Sequence, residues 1–102
     1  MADANELIHQ TIRLKIMSAL NALNGNTALE FVRLKAITGA TDGNLGAHLA
    51  TLEGADYVRI EKEFVDKKPR TRVSLTKQGR RAFANHVAFL QELLDGSQGE
   101  KP

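Results

Sequence analysis

The feature that most constrains this chain is a short helical pattern at its centre, in residues 41–53 (TDGNLGAHLATLE). Leu45, Leu49 and Leu52 recur at the spacing of one buried helix face. The remaining positions are mostly small or polar, and they include two glycines. Because a glycine inside a helix costs roughly 1 kcal/mol relative to alanine, the pair suggests a constraint other than stability. The alternative is that these glycines are simply tolerated.

A second, shorter helix is predicted just before this one. Phe31, Leu34 and Ile37 mark one of its faces, and we expect it to stop at Gly39. Residues 38–41 would form the turn, with Thr41 placed to accept a hydrogen bond from a free backbone N–H of the next helix. The two helices and their turn predict a helix-turn-helix.

The N-terminal part predicts one amphipathic helix over residues 5–23, which lack proline and glycine. The apolar residues at helical spacing are Ile8, Ile12, Ile16, Leu20 and Leu23. Residues 24–26 (NGN) would end this helix, since glycine supplies the left-handed conformation that a helix end usually requires. A short extended segment, residues 27–30, would follow.

After Gly54 the apolar period changes to two, which predicts a β-hairpin. In residues 57–65, Val58, Ile60 and Phe64 lie on one face, with Arg59, Glu61 and Glu63 on the other. Residues 66–70 are expected to form the loop, because proline lacks the donor for a strand ladder. The return strand would cover residues 71–75.

The last helix is expected to start after Thr76, which can cap it, and to run to about Asp95. It carries two neighbouring apolar stripes, one with Phe83, Val87, Leu90 and Leu94, the other with Ala82, Phe89 and Leu93. Because this exceeds what a small core needs to cover, we infer a homodimer. The alternative is that the first helix and the hairpin cover both stripes within one subunit.

Charge is distributed unevenly along the chain. Residues 57–81 contain nine lysines and arginines against three acids, a net charge of +6, whereas the remainder carries −4. Such a patch suits a polyanion, although a merely solvated hairpin would look the same by charge alone. No apolar run approaches the length of a membrane span, no secretory signal is visible and there is no cysteine. These features predict a cytoplasmic protein without a membrane partner.

Catalytic and metal-binding patterns are not apparent in the sequence. His9, His48 and His86 fall on three different predicted helices, and none has a second histidine or a carboxylate at ligand spacing. There is no nucleophile elbow and no phosphate-binding glycine loop. We therefore expect neither an enzyme nor a cofactor or metal.

Side chains suited to nucleic-acid recognition, in contrast, are predicted on the central helix. Asn44, His48 and Thr51 lie on one outward face, and their side chains can address the base edges of a major groove. Small residues beside them would allow a close approach to the groove floor. Thr41 belongs to the same predicted contact.

The hairpin would supply the second contact. Lys67, Lys68 and Arg70 are expected at its tip and Arg72 just inside, where they suit phosphates or the narrow minor groove. Arg33 and Lys35 could add backbone contacts. The hairpin should therefore anchor the duplex while the helix discriminates between sequences.

Several segments resemble small prokaryotic winged helix-turn-helix regulators close to the MarR and ArsR groups. The resemblance covers roughly residues 7–94 and is most specific in TDGNLGAHLATLE and in SLTKQGRRAF, which opens the last helix. It implies a dimeric transcriptional regulator whose dimer is formed mainly by the terminal helices. Such sequences commonly have glycine where this chain has Asp56, and aspartate tolerates the left-handed backbone of that turn better than most residues.

These observations predict a mainly α fold with a small β-hairpin, in which residues 1–95 form one winged helix-turn-helix domain and residues 96–102 a disordered tail. We expect a dimeric, sequence-specific regulator of transcription that binds double-stranded DNA, with recognition helix 42–54 in the major groove and basic wing 57–75 on the backbone or minor groove. The alternative is a winged helix that serves as a protein-interaction module. The sequence does not specify an effector.

Overall fold

A computed structural model describes residues 4–24 and 27–99 of the chain, with side chains up to residue 96. The elements in chain order are α1 (Glu6–His9), α2 (Thr11–Asn21), β1 (Ala28–Glu30), α3 (Phe31–Thr38), α4 (Asp42–Gly54), β2 (Val58–Val65), β3 (Lys68–Leu75) and α5 (Lys77–Gly99). The strands form one antiparallel sheet in the order β1-β3-β2. The expected fold class, mainly α with a small antiparallel sheet, is confirmed.

The N-terminal helix is not continuous, so the prediction of one helix over residues 5–23 is wrong. Gln10 has an extended backbone (φ −69°, ψ 139°) and separates α1 from α2. Asn5 caps α1 by accepting hydrogen bonds from the backbone N–H groups of Leu7 and Ile8. The backbone N–H of Asn5 also bonds to His86 on α5, so long-range contacts set the direction of α1. The expected end of this helix at Gly25 and Asn26 lies outside the described residues.

The helix-turn-helix is confirmed in α3, the turn and α4. Gly39 ends α3 in the left-handed conformation (φ 72°), which glycine adopts without steric cost. The Thr41 side chain then accepts a 3.1 Å hydrogen bond from the backbone N–H of Asn44 and caps α4 as expected. Ile37, which shares the expected apolar face of α3 with Phe31 and Leu34, is 41% exposed, whereas Thr38 is buried.

The hairpin turn is shorter than expected. Asp66 and Lys67 alone form it, both with positive φ (52° and 64°), and β3 begins at Lys68. The assignment of residues 66–70 to a loop is therefore wrong, because Pro69 is a strand residue paired with Phe64. A two-residue turn is closed by a hydrogen-bonded pair, here Val65 with Lys68. Since the next pair is a non-hydrogen-bonded one, Pro69 breaks no bond to β2.

One core lies between the helices and the sheet. Its fully buried members include the three leucines of the α4 pattern; the others listed here come from α1, α2, α3 and the sheet: Ile8, Ile16, Met17, Leu20, Leu34, Val58 and Val73. Phe64, which the sequence places on the same strand face as Val58 and Ile60, is 77% exposed. It keeps the alternation of β2, but the hairpin extends past the helices at this point, so the described core does not reach it.

The last helix begins as expected and ends later. The Thr76 side chain accepts a hydrogen bond from the backbone N–H of Gly79 at 2.8 Å, which caps α5. The helix continues past Asp95 to Gly99, and the remainder of the expected tail, residues 100–102, lies outside the described part of the chain. Phe83 is buried, whereas Leu93 and Leu94 are 57% and 66% exposed. The first helix and the hairpin therefore leave the distal part of both stripes uncovered in a single subunit.

Candidate nucleic-acid interface

The N-terminal two-thirds of α4 present a polar surface opposite the buried leucines. Asn44 and Thr51 are exposed, and His48 is half-buried on the same side. The Thr41 hydroxyl accepts a hydrogen bond from the backbone N–H of Asn44. The Asn44 side chain itself makes no hydrogen bond within the described residues. The Thr51 hydroxyl donates to the Ala47 carbonyl at 3.1 Å, so it offers an acceptor and its methyl group outward. The structure thus brings together the four positions that the sequence selected on this helix.

Two glycines on α4 have no steric role inside the fold. A Cβ atom built on Gly43 or Gly46 would meet nothing within 4 Å outside the helix's own backbone. Neither residue has a left-handed backbone. Because alanine would be the better helix former at both positions, internal packing and backbone strain do not explain them.

An ion pair joins the two helices of the helix-turn-helix at the start of α4. Nζ of Lys35 lies 2.8 Å from a carboxylate oxygen of Asp42. Asp42 is in the first turn of α4, where a carboxylate interacts favourably with the helix dipole, and Lys35 compensates its charge. Lys35, which the sequence suggested as a contact to the DNA backbone, is therefore paired with an acidic group in the free protein.

The tip of the hairpin carries two cations with no ion-pair partner in the part of the chain that the structure describes. Lys67 occupies the second turn position and Lys68 starts β3. A left-handed backbone costs a non-glycine residue roughly 1–2 kcal/mol, and glycine or asparagine is the usual occupant of such a position. The cation at Lys67 is thus kept at a conformational cost.

The two arginines of the hairpin are placed differently from the lysines. Arg70 lies within β3 rather than at the tip, and its guanidinium contacts a carboxylate oxygen of Glu30 on β1 at 3.1 Å. Arg72 lies 3.8 Å from Glu63 on β2. All four side chains are about half-exposed, so each pair contributes little to stability and can exchange for another anion.

An open cleft of about 640 Å³ separates α4 from the hairpin. Gly46 and Ala50 line it from α4, while Ile60, Lys62 and Thr71 line it from the strands. Lys62, which sequence reasoning did not select, is the cation in this lining. The pairing of Lys62 with Thr71 in the strand register could have identified it, since both share a face with core residues.

Two histidines meet where α1 packs against α5, although they are far apart in sequence. The ring centroids of His9 and His86 are 5.5 Å apart with nearly perpendicular planes. Nδ1 of the fully buried His86 accepts a hydrogen bond from Asn5, while Nε2 is buried without a partner in the described residues. Burial and the neighbouring His9 lower the pKa of His86 below its ordinary value of 6.5.

Metal-ligating groups do not accumulate elsewhere. Within residues 4–24 and 27–99, no set of three histidine, cysteine or acidic side chains is arranged to hold a metal ion. The described helices likewise include none with the length and apolarity needed to cross a membrane.

The chain is similar to known proteins over most of its length. A family model of winged helix DNA-binding domains matches residues 12–94. An uncharacterized protein of Methanocaldococcus jannaschii is 32% identical over 88 residues, which covers 86% of this chain and 92% of that protein. The residues that the family model matches include α4, the hairpin and most of α5.

Solved structures of similar fold include proteins described as transcriptional regulators. A transcriptional regulator homologue from Pyrococcus horikoshii superimposes with a TM-score of 0.81 at 27% identity, covering 90% of this chain and 88% of that one. A protein described as a MarR-family transcriptional regulator from Porphyromonas gingivalis superimposes with a TM-score of 0.64 at 19% identity, covering 91% and 83%. The second likeness shows the fold alone.

Proposed function

Because the chain belongs to the family of winged helix DNA-binding domains, we propose that it is a dimeric, sequence-specific regulator of transcription. In this proposal α4 enters the major groove of duplex DNA, and the hairpin, or wing, contacts the backbone and the adjacent minor groove. Residues 1–95 would form the functional domain, which would act in the cytoplasm.

The observation that carries the proposal is the exposed face of α4. Asn44, His48 and Thr51 lie together on it, and α4 also carries two glycines that packing in the fold does not require, of which Gly46 lines the cleft towards the hairpin. Asparagine is suited to paired contact with adenine, histidine can donate to guanine acceptors, and threonine offers a methyl to thymine. A helix with small residues beside such side chains can approach base edges closely.

The wing supports the same function by its charge. Lys67 and Lys68 extend from the tip, while Arg70 and Arg72 lie along β3 with weak, exposed ion pairs. Phosphate oxygens can replace the carboxylates of Glu30 and Glu63 when DNA is bound. These four cations would supply affinity without sequence information.

Dimerisation is proposed from the uncovered apolar surface of α5. Leu93 and Leu94 are exposed, and Phe89 and Leu90 are only half-buried, on a helix of 23 residues. A second copy related by a two-fold axis would bury this surface. The DNA site would then be palindromic, with half-sites about one helical turn apart.

A salt titration of binding to duplex DNA tests the proposal. We expect the logarithm of the affinity to fall steeply with the logarithm of salt concentration, and Lys68→Gln to reduce that slope by about 1 per subunit, about 2 for the dimer, on every sequence. Lys15→Gln, an exposed cation on α2, is the matched control and should leave the slope unchanged.

Selection of bound sequences from a random duplex pool tests the recognition helix. Asn44→Ala should broaden the selected sequences and leave the salt slope in place. A protein-interaction module would instead show no affinity that depends on salt in this way. If neither variant changed binding, the proposed division between helix and wing would be wrong.

A further inference from the structure

The side chain of Phe64 stands exposed near the tip of the wing, although it shares a strand face with the buried Val58. Resting on the proposed DNA-binding function, we propose that Phe64 is an apolar wedge that contacts the sugar wall and base edges of the minor groove and bends the duplex. Pro69 stands beside it as a rigid support.

The face on which Phe64 lies follows from the strand register. Val73 and Leu75 on β3 point into the core, and we call their side of the hairpin the inner face. The pairs on it, going towards the tip, are Ile60 with Val73, Lys62 with Thr71 and Phe64 with Pro69. Phe64 lies four residues beyond Ile60, about 13 Å along the strand, where the core no longer covers it.

Pro69 restricts the position of Phe64. The two form a non-hydrogen-bonded pair, in which side chains are closer together than in a hydrogen-bonded pair. An aromatic ring beside a proline ring makes a short apolar ridge whose backbone is fixed by the adjacent two-residue turn. Such a ridge loses little conformational entropy when it is buried against a partner.

The charges around Phe64 favour a polyanion as that partner. The inner face of the paired strands carries Lys62 and no carboxylate, and the tip beside Phe64 holds one acid, Asp66, against two lysines, Lys67 and Lys68. Glu61 and Glu63 alternate to the opposite face. An apolar ridge flanked by cations matches a minor groove, in which deoxyribose forms the walls and phosphates form the rims.

The cleft between α4 and the wing supports this orientation. If α4 occupies a major groove and the wing the next minor groove, the sugar–phosphate strand that divides the two grooves must pass between them. The cleft at that place is lined by the small residues Gly46 and Ala50 and by Glu53 on the side of α4, and by Lys62 on the side of the wing, where it can compensate the Glu53 carboxylate. The inner face of the wing, and Phe64 with it, would therefore face this strand.

Binding and bending measurements on variants test the proposal, using a duplex selected with the wild-type protein and labelled at both ends for energy transfer. Phe64→Ala should lower the affinity about tenfold per subunit, as expected for the loss of one buried phenyl group from each wing, without changing the salt slope. It should also reduce the bend. Val65→Ala, the next residue on the opposite face, is the matched control and should change neither.

A tryptophan variant gives a direct reading of the contact, because the chain contains no tryptophan. Phe64→Trp should retain the affinity, and its emission should be quenched when DNA binds, whereas Ser18→Trp, at an exposed position on α2, should show no quenching. Wild-type affinity and bend in Phe64→Ala would overturn the wedge while leaving the effects of Lys68→Gln and Asn44→Ala intact. A change in the oligomeric state of the Phe64→Ala protein without DNA would also overturn it, since Phe64 would then be a contact between protein subunits.

Discussion

The backbone N–H of Asn5 donates a 3.1 Å hydrogen bond to Nδ1 of His86, a residue 81 positions later in the chain. The side-chain amide of Asn5 also donates to the hydroxyl of Tyr57 at 2.9 Å. One asparagine thus connects α1, the start of the wing and α5. These contacts hold the N-terminal helix on the helix that we propose as the dimer interface.

We predict that the free energy of unfolding decreases as pH falls, because His86 must then take up a proton. Nδ1 can accept the Asn5 N–H only when it is unprotonated, and burial followed by the proximity of His9 lowers the pKa of His86. The unfolded chain therefore binds the proton first, so this stabilisation is complete above about pH 6.5 and is lost as pH falls through the lowered pKa. Urea unfolding at a series of pH values would measure it. His86→Asn should flatten the dependence, whereas His48→Gln on α4 should not; equal slopes in all three proteins would contradict the assignment.

We predict that Gly43→Ala and Gly46→Ala stabilise the fold but weaken DNA binding. Each added methyl group has open space, and alanine favours a helix by about 1 kcal/mol relative to glycine. The same methyl groups would hold α4 away from the groove floor. Thermal unfolding and DNA titration should therefore change in opposite directions. Gly54→Ala, at the far end of α4 and equally unobstructed, is the control and should leave DNA affinity unchanged.

We predict that Gly79→Ala destabilises the fold by about 2 kcal/mol or more. A Cβ atom at this position would collide with the carbonyl oxygen of Tyr57 and lie 3.0 Å from a methyl carbon of Leu75. The Tyr57 carbonyl is also the acceptor for the backbone N–H of Thr76, so it cannot move freely. Gly96→Ala in the same helix meets nothing within 4 Å and should not destabilise the protein. Comparable unfolding midpoints for the two variants would mean that α5 can shift at little cost.

We predict that Leu94→Glu converts a dimer into a folded monomer. Leu94 is 66% exposed in the single subunit, so a charge there should leave the fold intact and oppose burial against a second copy. Light scattering combined with size-exclusion chromatography would give the mass, and circular dichroism would report the fold. Ala84→Glu adds the same charge at an exposed position of α5, about three turns before Leu94, and should remain dimeric. A wild-type protein that is monomeric at all concentrations would exclude the proposed dimer.

The parts of the structure that depend on local sequence were predictable. The Gly39 turn, the Thr41 cap and the leucine face of α4 each follow from interactions within a few residues, and the structure has them. Asp56 takes the expected left-handed conformation (φ 63°) at the turn into the wing. Where neighbours along the chain decide the conformation, residue type and spacing carry the information.

Three features that the sequence did not predict depend on contacts between residues far apart in the chain. The break at Gln10 accompanies the long-range hydrogen bonds of Asn5, which helical periodicity does not reveal. Phe64 has the alternation of a buried residue, and its exposure depends on how far the hairpin extends past the helices. The meeting of His9 with His86 requires α1 and α5 to be packed first. Asn44, His48 and Thr51 were found by periodicity, yet their role in reading DNA stays a prediction.

Pro69 affects the tendency of the wing to aggregate in solution. β1 pairs with β3 only at residues 72–74, so the outer half of β3 has a strand on one side and water on the other. An open strand edge invites another chain to add a strand and begin aggregation. At Pro69 the nitrogen that points towards this edge carries no hydrogen, and the flanking Lys68 and Arg70 are charged. A long hairpin can thus remain exposed at high protein concentration without templating its own precipitation.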